Sequence, residues 1–383
     1  MDKFLYCAPC HFGLESVLKR ELLELGLEIA RVEDGKVFFL GSETDAARSN
    51  IMLRTAERVL LVVSEFEART FDELFEKTKA LDWKRFLPED ARFWVAKANS
   101  VKSALFSPSD IQSIVKKAIV EGMKGQYGTD VVPETGADHP LRLSILKDRV
   151  TLALDTTGVS LHKRGYRTDT VKAPIEETLA AALIGLTPWK DKRPFADPFC
   201  GSGTFPIEAA MMALGIAPGL ERSFTAETWK ELIPKKYWYE AATEAMDLAK
   251  PDVRPDIEAS DIDPVTLRMA KANAERAGVL DKIRFTLRDV KDFRSSRSYG
   301  FMVTNPPYGE RISEKAELPK LYGALGDVFR ALDNWSLYVI TPYEETEEKI
   351  GRKATKNRKI YNGMMKTYFY SFEGAKPPKG ERT

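Results

Sequence analysis

Only three of the 383 residues are cysteine and three are histidine, and lysine plus arginine exceed aspartate plus glutamate by one charge, 58 to 57. An odd set of cysteines, Cys7, Cys10 and Cys200, excludes a closed disulfide framework. The histidines have no metal-ligand spacing, so no zinc site and no other metal is expected. No apolar run approaches the roughly 18 residues of a membrane helix. The Met-Asp-Lys start lacks the basic beginning, apolar middle and small-residue cleavage site of a secretory leader. There is no Walker A sequence and no G-x-S-x-G elbow, which argues against a nucleoside triphosphate loop and against acyl transfer. These absences lead to the expectation of a cytoplasmic chain without membrane or metal.

What is present suffices for two or three domains, with 43% hydrophobic and 30% charged residues and no internal repeat. Cys7-Ala-Pro-Cys10-His11 spells both a haem-attachment motif and a thioredoxin-type pair. Haem attachment requires an exported chain, and a redox pair opens a helix, whereas this pair ends a strand. Two small apolar residues at a strand end are the simpler reading.

Near-neutrality conceals segregation. Residues 91–170 carry 12 basic and 8 acidic groups and residues 351–383 carry 9 and 2, while the segments 1–90 and 171–350 are net acidic. Separate basic faces of this kind suit a polyanion, though solvated surface charge gives the same count.

Short strands and amphipathic helices alternate from Phe4 to Leu154. The Lys147-Asp148-Arg149 turn makes Leu141–Leu146 and Val150–Leu154 an antiparallel hairpin. The basic, apolar-poor stretch Leu161–Lys172 ends before Pro174 and marks an interdomain linker, assigned to residues 166–175 between a region 1–165 and a domain 176–383. From Pro174 onward strands and helices follow a βαβ rhythm, which predicts an α/β fold with a doubly wound, mostly parallel sheet. In such a sheet ligands sit beyond the carboxyl ends of the strands, here at Asp197, Asp261, Asp289 and Asn305. A segment from about 215 to 255 interrupts the rhythm. Its Phe224, Trp229, Tyr237, Trp238 and Tyr239 either stack on nucleic acid or pack a helical subdomain against the sheet.

Asp197-Pro198-Phe199-Cys200-Gly201-Ser202-Gly203-Thr204 follows a strand and opens a helix, so its glycines let backbone N–H groups approach a ligand at a helix N-terminus. The third glycine of a dinucleotide fingerprint is replaced by Pro206. Asp261 ends the next strand, where a carboxylate can accept both ribose hydroxyls. Asp263-Pro264 reads as an N-cap followed by a first-turn proline. Asp289 ends the third strand, within reach of an adenine amine. The outline is an adenosine without a demand for phosphate binding, and S-adenosylmethionine fits it.

Asn305-Pro306-Pro307-Tyr308-Gly309 ends the fourth strand. Two prolines remove two donors, leaving carbonyl oxygens as acceptors. The Asn305 side-chain oxygen and the Pro306 carbonyl can each take one hydrogen of a planar amino group, and Tyr308 offers a face on which an extruded base can stack.

DPFCGSGT and NPPYGER, in that order, resemble the class I S-adenosylmethionine-dependent amino-methyltransferases. YCAPCHFGLESVLKRELLELG, SLHKRGYR, APIEETLAAALI, PGLERSFTAETW and SDIDP further resemble the THUMP-containing 23S rRNA guanine-N2 methyltransferases of the RlmL type, over nearly the whole chain. The resemblance implies a Rossmann-like methyltransferase domain preceded by an α+β ferredoxin-like and THUMP region that grips RNA. It places Asp197, Pro198, Phe199, Gly201, Gly203, Thr204, Asp261, Asp289 and Asn305 around S-adenosylmethionine, and Asn305 to Tyr308 around the target base. Arg142, Lys147, Lys163, Arg164 and Arg167 are the expected phosphate contacts. The competing expectations are a THUMP-type tRNA guanine-N2 enzyme, an N6-adenine DNA methyltransferase, and a non-catalytic RNA-binding assembly factor.

Overall fold

The computed structural model describes residues 3–168, 174–309, 312–363 and 365–378. These divide into two units, the first comprising the described residues to Cys10, Leu18–Leu161 and Arg222–Ala245. Seven strands form its sheet: β1 (Phe4–Pro9), β2 (Glu28–Glu33), β3 (Lys36–Gly41), β4 (Leu60–Glu67), β5 (Arg92–Val101), β6 (Asp138–Leu146) and β7 (Arg149–Asp155). Their order is β2-β3-β1-β4-β7-β6-β5. Only the β5–β6 pair is parallel, because the helix α4 (Pro108–Tyr127) crosses between them. The β6–β7 hairpin closes through Lys147 and Asp148 at φ 51° and 64°, the geometry that matches strand twist.

Helices α1 (Glu15–Glu24), α2 (Glu43–Met52) and α3 (Phe71–Lys79) precede α4. Proline in its first turn and left-handed Gly128 at its end bound α4, and Ile111, Val115, Ala118, Ile119 and Met123 form its buried stripe. Gly122 within that stripe admits no side chain, since a Cβ would lie 2.6 Å from the Lys79 carbonyl oxygen.

Residues 222–245 differ from the expected subdomain on the methyltransferase sheet. They complete the first unit. Trp229 donates its indole N–H to the Asp138 carbonyl at 2.7 Å and stacks on His139 with centroids 4.7 Å apart. Phe224 stacks on Trp238, and Arg222 donates to the Ser160 carbonyl at 3.0 Å. The aromatic density of this segment therefore serves burial, with Tyr239 the exception at 74% exposed.

The second unit comprises His11–Val17, His162–Glu221 and the described residues from Met246 onward. The change of unit falls at Leu161, ahead of the expected linker at 166–175. Tyr166 is buried in the second unit's core, and residues 169–173 lie outside the described residues.

The second sheet contains β8 (Phe195–Asp197), β9 (Ile257–Asp261), β10 (Ile283–Leu287), β11 (Phe301–Thr304), β12 (Ser336–Thr341), β13 (Lys356–Asn362) and β14 (Met365–Phe372). Their order is β10-β9-β8-β11-β12-β14-β13. The first five strands are parallel, and β14 and β13 add antiparallel at one edge. Residues alternate strictly between two cores: Phe195, Phe301, Val303, Tyr338 and Ile340 face one, and Ala196, Met302, Leu337 and Val339 face the other. Helices α5 (Glu177–Leu186), α6 (Thr204–Ala213) and α8 (Pro264–Arg276) cover the first face. Helices α9 (Ile312–Ala331) and α10 (Thr346–Ile350) cover the second. Helix α7 (Lys235–Asp247) belongs mainly to the segment that joins the first unit. Both faces are thus buried, as a doubly wound sheet requires.

Candidate active site

The chain leaves β8 for β9 on one side and returns to β11 on the other, which opens a crevice beyond the carboxyl ends of β8 and β11. A cavity of about 510 Å³ lies there. Asp197, Pro198, Phe199, Gly201, Thr204, Asp261, Asp289, Asn305, Pro306, Pro307 and Tyr308 all line it. Gly203 stands behind the wall, where its φ of 87° turns the chain into α6 and a Cβ would meet that of Ala270 at 3.2 Å.

Hydrogen bonds hold the glycine turn in shape. The Cys200 N–H donates to the Ser260 carbonyl at 3.0 Å, and the Gly201 N–H donates to Asp261 Oδ2 at 3.1 Å. Buried Asn273 on α8 donates to the Ser202 carbonyl at 2.9 Å. Asp261 also accepts the Asp263 N–H at 3.0 Å on Oδ1. Burial holds its carboxyl above the ordinary range. Asp263 takes the capping role expected from Asp-Pro, accepting the Val265 and Thr266 N–H groups at 3.0 and 3.2 Å.

Asp197 is buried, and burial pushes its carboxyl up to about 7, against the lowering effect of bonds from the Thr304 hydroxyl (2.6 Å) and the Phe199 N–H (3.2 Å). Asp289 lies two residues past β10, capping a short turn by accepting the Lys291 N–H and pairing with Lys291 Nζ at 3.2 Å. Asn305 and Tyr308 are half-buried, Pro306 is buried and Pro307 is exposed. Within NPPYGER, Glu310 and Arg311 lie outside the described residues. Beneath the turn, Tyr322 of α9 shares a 2.6 Å hydrogen bond with Thr341 at the end of β12.

The cavity suits an adenosine-sized ligand by its chemistry as well as its size. Phe199, Ile262 and Val290 supply apolar wall, and three carboxylates supply acceptors. Thr304 and Asn273 went unnoticed in the sequence. Thr304 stands directly before Asn305, but a strand threonine carries no signal of where its hydroxyl points. Pro174 and Ile175 also line the cavity.

The expected phosphate contacts divide. Lys147 and Lys163 are exposed. Arg142 donates to buried Asp155 at 2.7 Å. Arg164 and Arg167 differ from that expectation, because each guanidinium is turned inward onto a buried carboxylate, with side chains 2% and 7% exposed. Arg164 is buried with its Nε 3.4 Å from Glu208 Oε1, an oxygen that also accepts the Tyr166 hydroxyl at 3.1 Å. Arg167 pairs with buried Glu177 at 2.8 Å and donates to the Ile175 carbonyl at 2.9 Å. Its charge therefore orders the segment that enters α5 and lines the cavity.

Cys7 and Cys10 are buried and form no disulfide, and burial pushes the Cys7 thiol up to about 12, which removes the thiolate a redox pair would need. No described helix is long and apolar enough to cross a membrane.

Comparison with known proteins divides the chain near the same point, with residues 222–245 falling inside the methyltransferase match. Residues 164–370 match the RMKL-like methyltransferase domain family, residues 6–60 the RlmL ferredoxin-like domain and residues 68–155 the THUMP domain. A Bacillus subtilis (strain 168) protein named as a candidate RNA methyltransferase, YpsC, is 48% identical over 100% of this chain and 99% of its own length. Ribosomal RNA large subunit methyltransferase K/L of Marinobacter nauticus is 33% identical over 97% of this chain. The chain spans about half of that relative's length, 53%. The solved structure of SMU.472, a candidate methyltransferase complexed with SAH, superposes with a TM-score of 0.93 at 41% identity, covering 99% of this chain and 100% of that one.

Proposed function

This chain belongs to the RMKL-like methyltransferase family, and we propose that it transfers the methyl group of S-adenosylmethionine to N2 of a guanine in 23S rRNA. One observation carries the reading: DPFCGSGT and NPPYG, at the ends of adjacent strands, open onto a single cavity. A methyl donor and an amino acceptor held by these two turns would meet without crossing the sheet.

S-adenosylmethionine supplies an electrophilic methyl group when bound. Asp261 would hold the ribose hydroxyls and Asp289 the adenine amine, with the Gly201 turn leaving room for close backbone approach. Asp197 would face the methionine end, where an ionised carboxylate favours the cofactor's positive charge. Asn305 Oδ1 and the Pro306 carbonyl would each accept one hydrogen of the guanine amine, turning its lone pair out of conjugation. Transfer would leave S-adenosylhomocysteine and an alkylated, acidic amine that would release its proton to water, so no strong base is required of the chain. Tyr308 would stack on the base once it leaves its helix, at roughly 1–3 kcal/mol, comparable to the cost of unstacking.

The THUMP match and the K/L relatives support RNA as the substrate. Exposed Lys147 and Lys163 are the contacts proposed on the RNA side. The test is incubation with labelled S-adenosylmethionine and, separately, 23S rRNA, tRNA and duplex DNA, followed by nucleoside analysis. Label in N2-methylguanosine from 23S rRNA is expected. Label confined to tRNA, or appearing as N6-methyladenine in DNA, would replace this substrate with another.

A further inference from the structure

The C-terminal basic segment forms part of the β13–β14 hairpin, which the sequence pattern left unassigned. Its register sets Lys359 opposite Tyr368 and Tyr361 opposite Lys366. Because side chains alternate along a strand, all four stand on one face, as a checkerboard of two lysines and two tyrosines. Lys359 Nζ lies 5.1 Å from the Tyr361 ring, and Lys366 Nζ lies 5.1 Å from the Tyr368 ring. The other face is committed to structure: Ile360 and Phe369 enter the core, Thr367 is buried and Arg358 donates to the Gly13 carbonyl at 2.7 Å.

The checkerboard lies at the same end of the sheet as the candidate active site. Tyr368 pairs with Thr341, the last residue of β12, and β14 runs antiparallel to it. Lys366 on β14 and its partner Tyr361 on β13 therefore extend beyond the carboxyl end of β12, two and three strands from β11, after which Asn305 follows. Both lysines are exposed and Tyr361 is 39% exposed, whereas Tyr368 is half-buried and packs against the second core. Glu344 is the acidic neighbour of Lys366. Charged residues on an edge strand discourage pairing with other chains, but that purpose needs no ring beside each lysine.

We propose that this face of the β13–β14 hairpin is a platform for single-stranded RNA flanking the target base, with Tyr361 stacking on a base, Tyr368 supporting Lys366 from its place against the core, and Lys359 and Lys366 neutralising phosphates. The proposal rests on RNA being the substrate, as argued above. Alternating rings and cations fit single-stranded RNA, which offers bases and phosphates at each step.

The test is fluorescence anisotropy with a dye-labelled oligoadenylate of about a dozen nucleotides, a length within the range of single-strand binding sites, measured over several salt concentrations. Tyr361→Ala should weaken binding by roughly 5- to 150-fold, the loss of one stacked base, while Tyr361→Phe retains it. Lys359→Ala with Lys366→Ala should lower the magnitude of the logarithmic salt slope by about 1.4, or 0.7 for each phosphate released. Binding of S-adenosylhomocysteine, read by calorimetry, should be unchanged in every variant. Equal RNA affinity in Tyr361→Ala and the wild type would overturn the platform and leave the methyltransferase reading standing. Wild-type protein that binds the oligonucleotide yet methylates no RNA would overturn that reading instead. Wild-type protein that binds no RNA would overturn both.

Discussion

The Thr304 hydroxyl donates to Asp197 Oδ1 at 2.6 Å, tying the strand before the NPPY turn to the strand before the glycine turn. The bond crosses between adjacent parallel strands, so the two halves of the site share one polar contact. Asp197 is buried with its carboxyl near 7, and its ionised form is the one suited to a cationic cofactor. Affinity for S-adenosylmethionine should therefore rise as pH passes up through about 7 and then level. Thr304→Val keeps the shape and removes the donor, so the midpoint of that rise should move upward. Calorimetric titration across pH 6–9 checks both, and a midpoint unmoved by Thr304→Val would detach the hydroxyl from Asp197's ionisation.

The same carboxyl makes a separate statement about stability. Its folded value is raised above the ordinary one, so the folded state holds a proton more tightly than the unfolded chain. Its contribution is complete below the ordinary carboxylate range and is lost as pH climbs toward about 7. Asp197→Asn cannot ionise. Without cofactor it should gain on the wild type between pH 5 and pH 8, by a few kcal/mol at most, at about 1.4 kcal/mol for each tenfold change in proton affinity. Urea unfolding at the two pH values measures the difference, and a gap that does not widen with pH counts against a buried carboxylate here.

Arg164 and Glu208 are both fully buried. Arg164→Ala leaves Glu208 without its counter-charge and should destabilise the protein by about 3–5 kcal/mol, the usual cost of breaking a buried pair. The salt slope of RNA binding should not change among the molecules that remain folded. Lys163→Ala, at an exposed position, should by contrast reduce the slope. A shallower slope for Arg164→Ala would return that residue to the RNA interface.

These outcomes mark where sequence ceases to be informative. The carboxylates at 197, 261 and 289 and the turn at 305–308 were legible because each punctuates a short apolar strand, and strand ends are where a doubly wound sheet places its ligands. Asp263 was legible because an N-cap is a local property. Arg164 and Arg167 were not, since their partners Glu208 and Glu177 are remote in sequence and a basic stretch reads alike whether it is solvated or buried. The hairpin of β13 and β14 was hidden by its composition, as KNRKIYN alternates weakly and exposes most of its residues. The segment 222–245 was misplaced for a topological reason. It lies between two elements of the second unit, and nothing local records that Trp229 meets Asp138 and His139 of the first.

Gly203 occupies a left-handed conformation with φ 87°, and a Cβ there would press on Ala270 and Ile207 at 3.2 Å. Gly203→Ala combines backbone strain with crowding between the turn and α8. It should cost about 1–3 kcal/mol of stability and weaken cofactor binding, because the turn would shift toward the cavity. Thermal unfolding with and without S-adenosylhomocysteine separates the effects. Normal affinity in a destabilised variant would confine Gly203 to packing.

Asn305 lines the same cavity as the carboxylates yet follows a different strand, so its removal should separate binding from chemistry. Asn305→Ala deletes the side-chain oxygen proposed to accept one hydrogen of the target amine and leaves the glycine turn, Asp197 and Asp261 in place. Turnover should fall roughly 100- to 1,000-fold, the scale on which one positioned polar group acts in a transition state. Binding of S-adenosylhomocysteine should stay near the wild-type value. Asn305→Asp also retains an acceptor, but it places a negative charge beside the base and the cofactor pocket, and should recover part of the rate. Single-turnover kinetics beside calorimetry distinguishes the cases. Parallel loss of rate and cofactor affinity in Asn305→Ala would mean that the NPPY turn shapes the cofactor pocket and does not orient the amine.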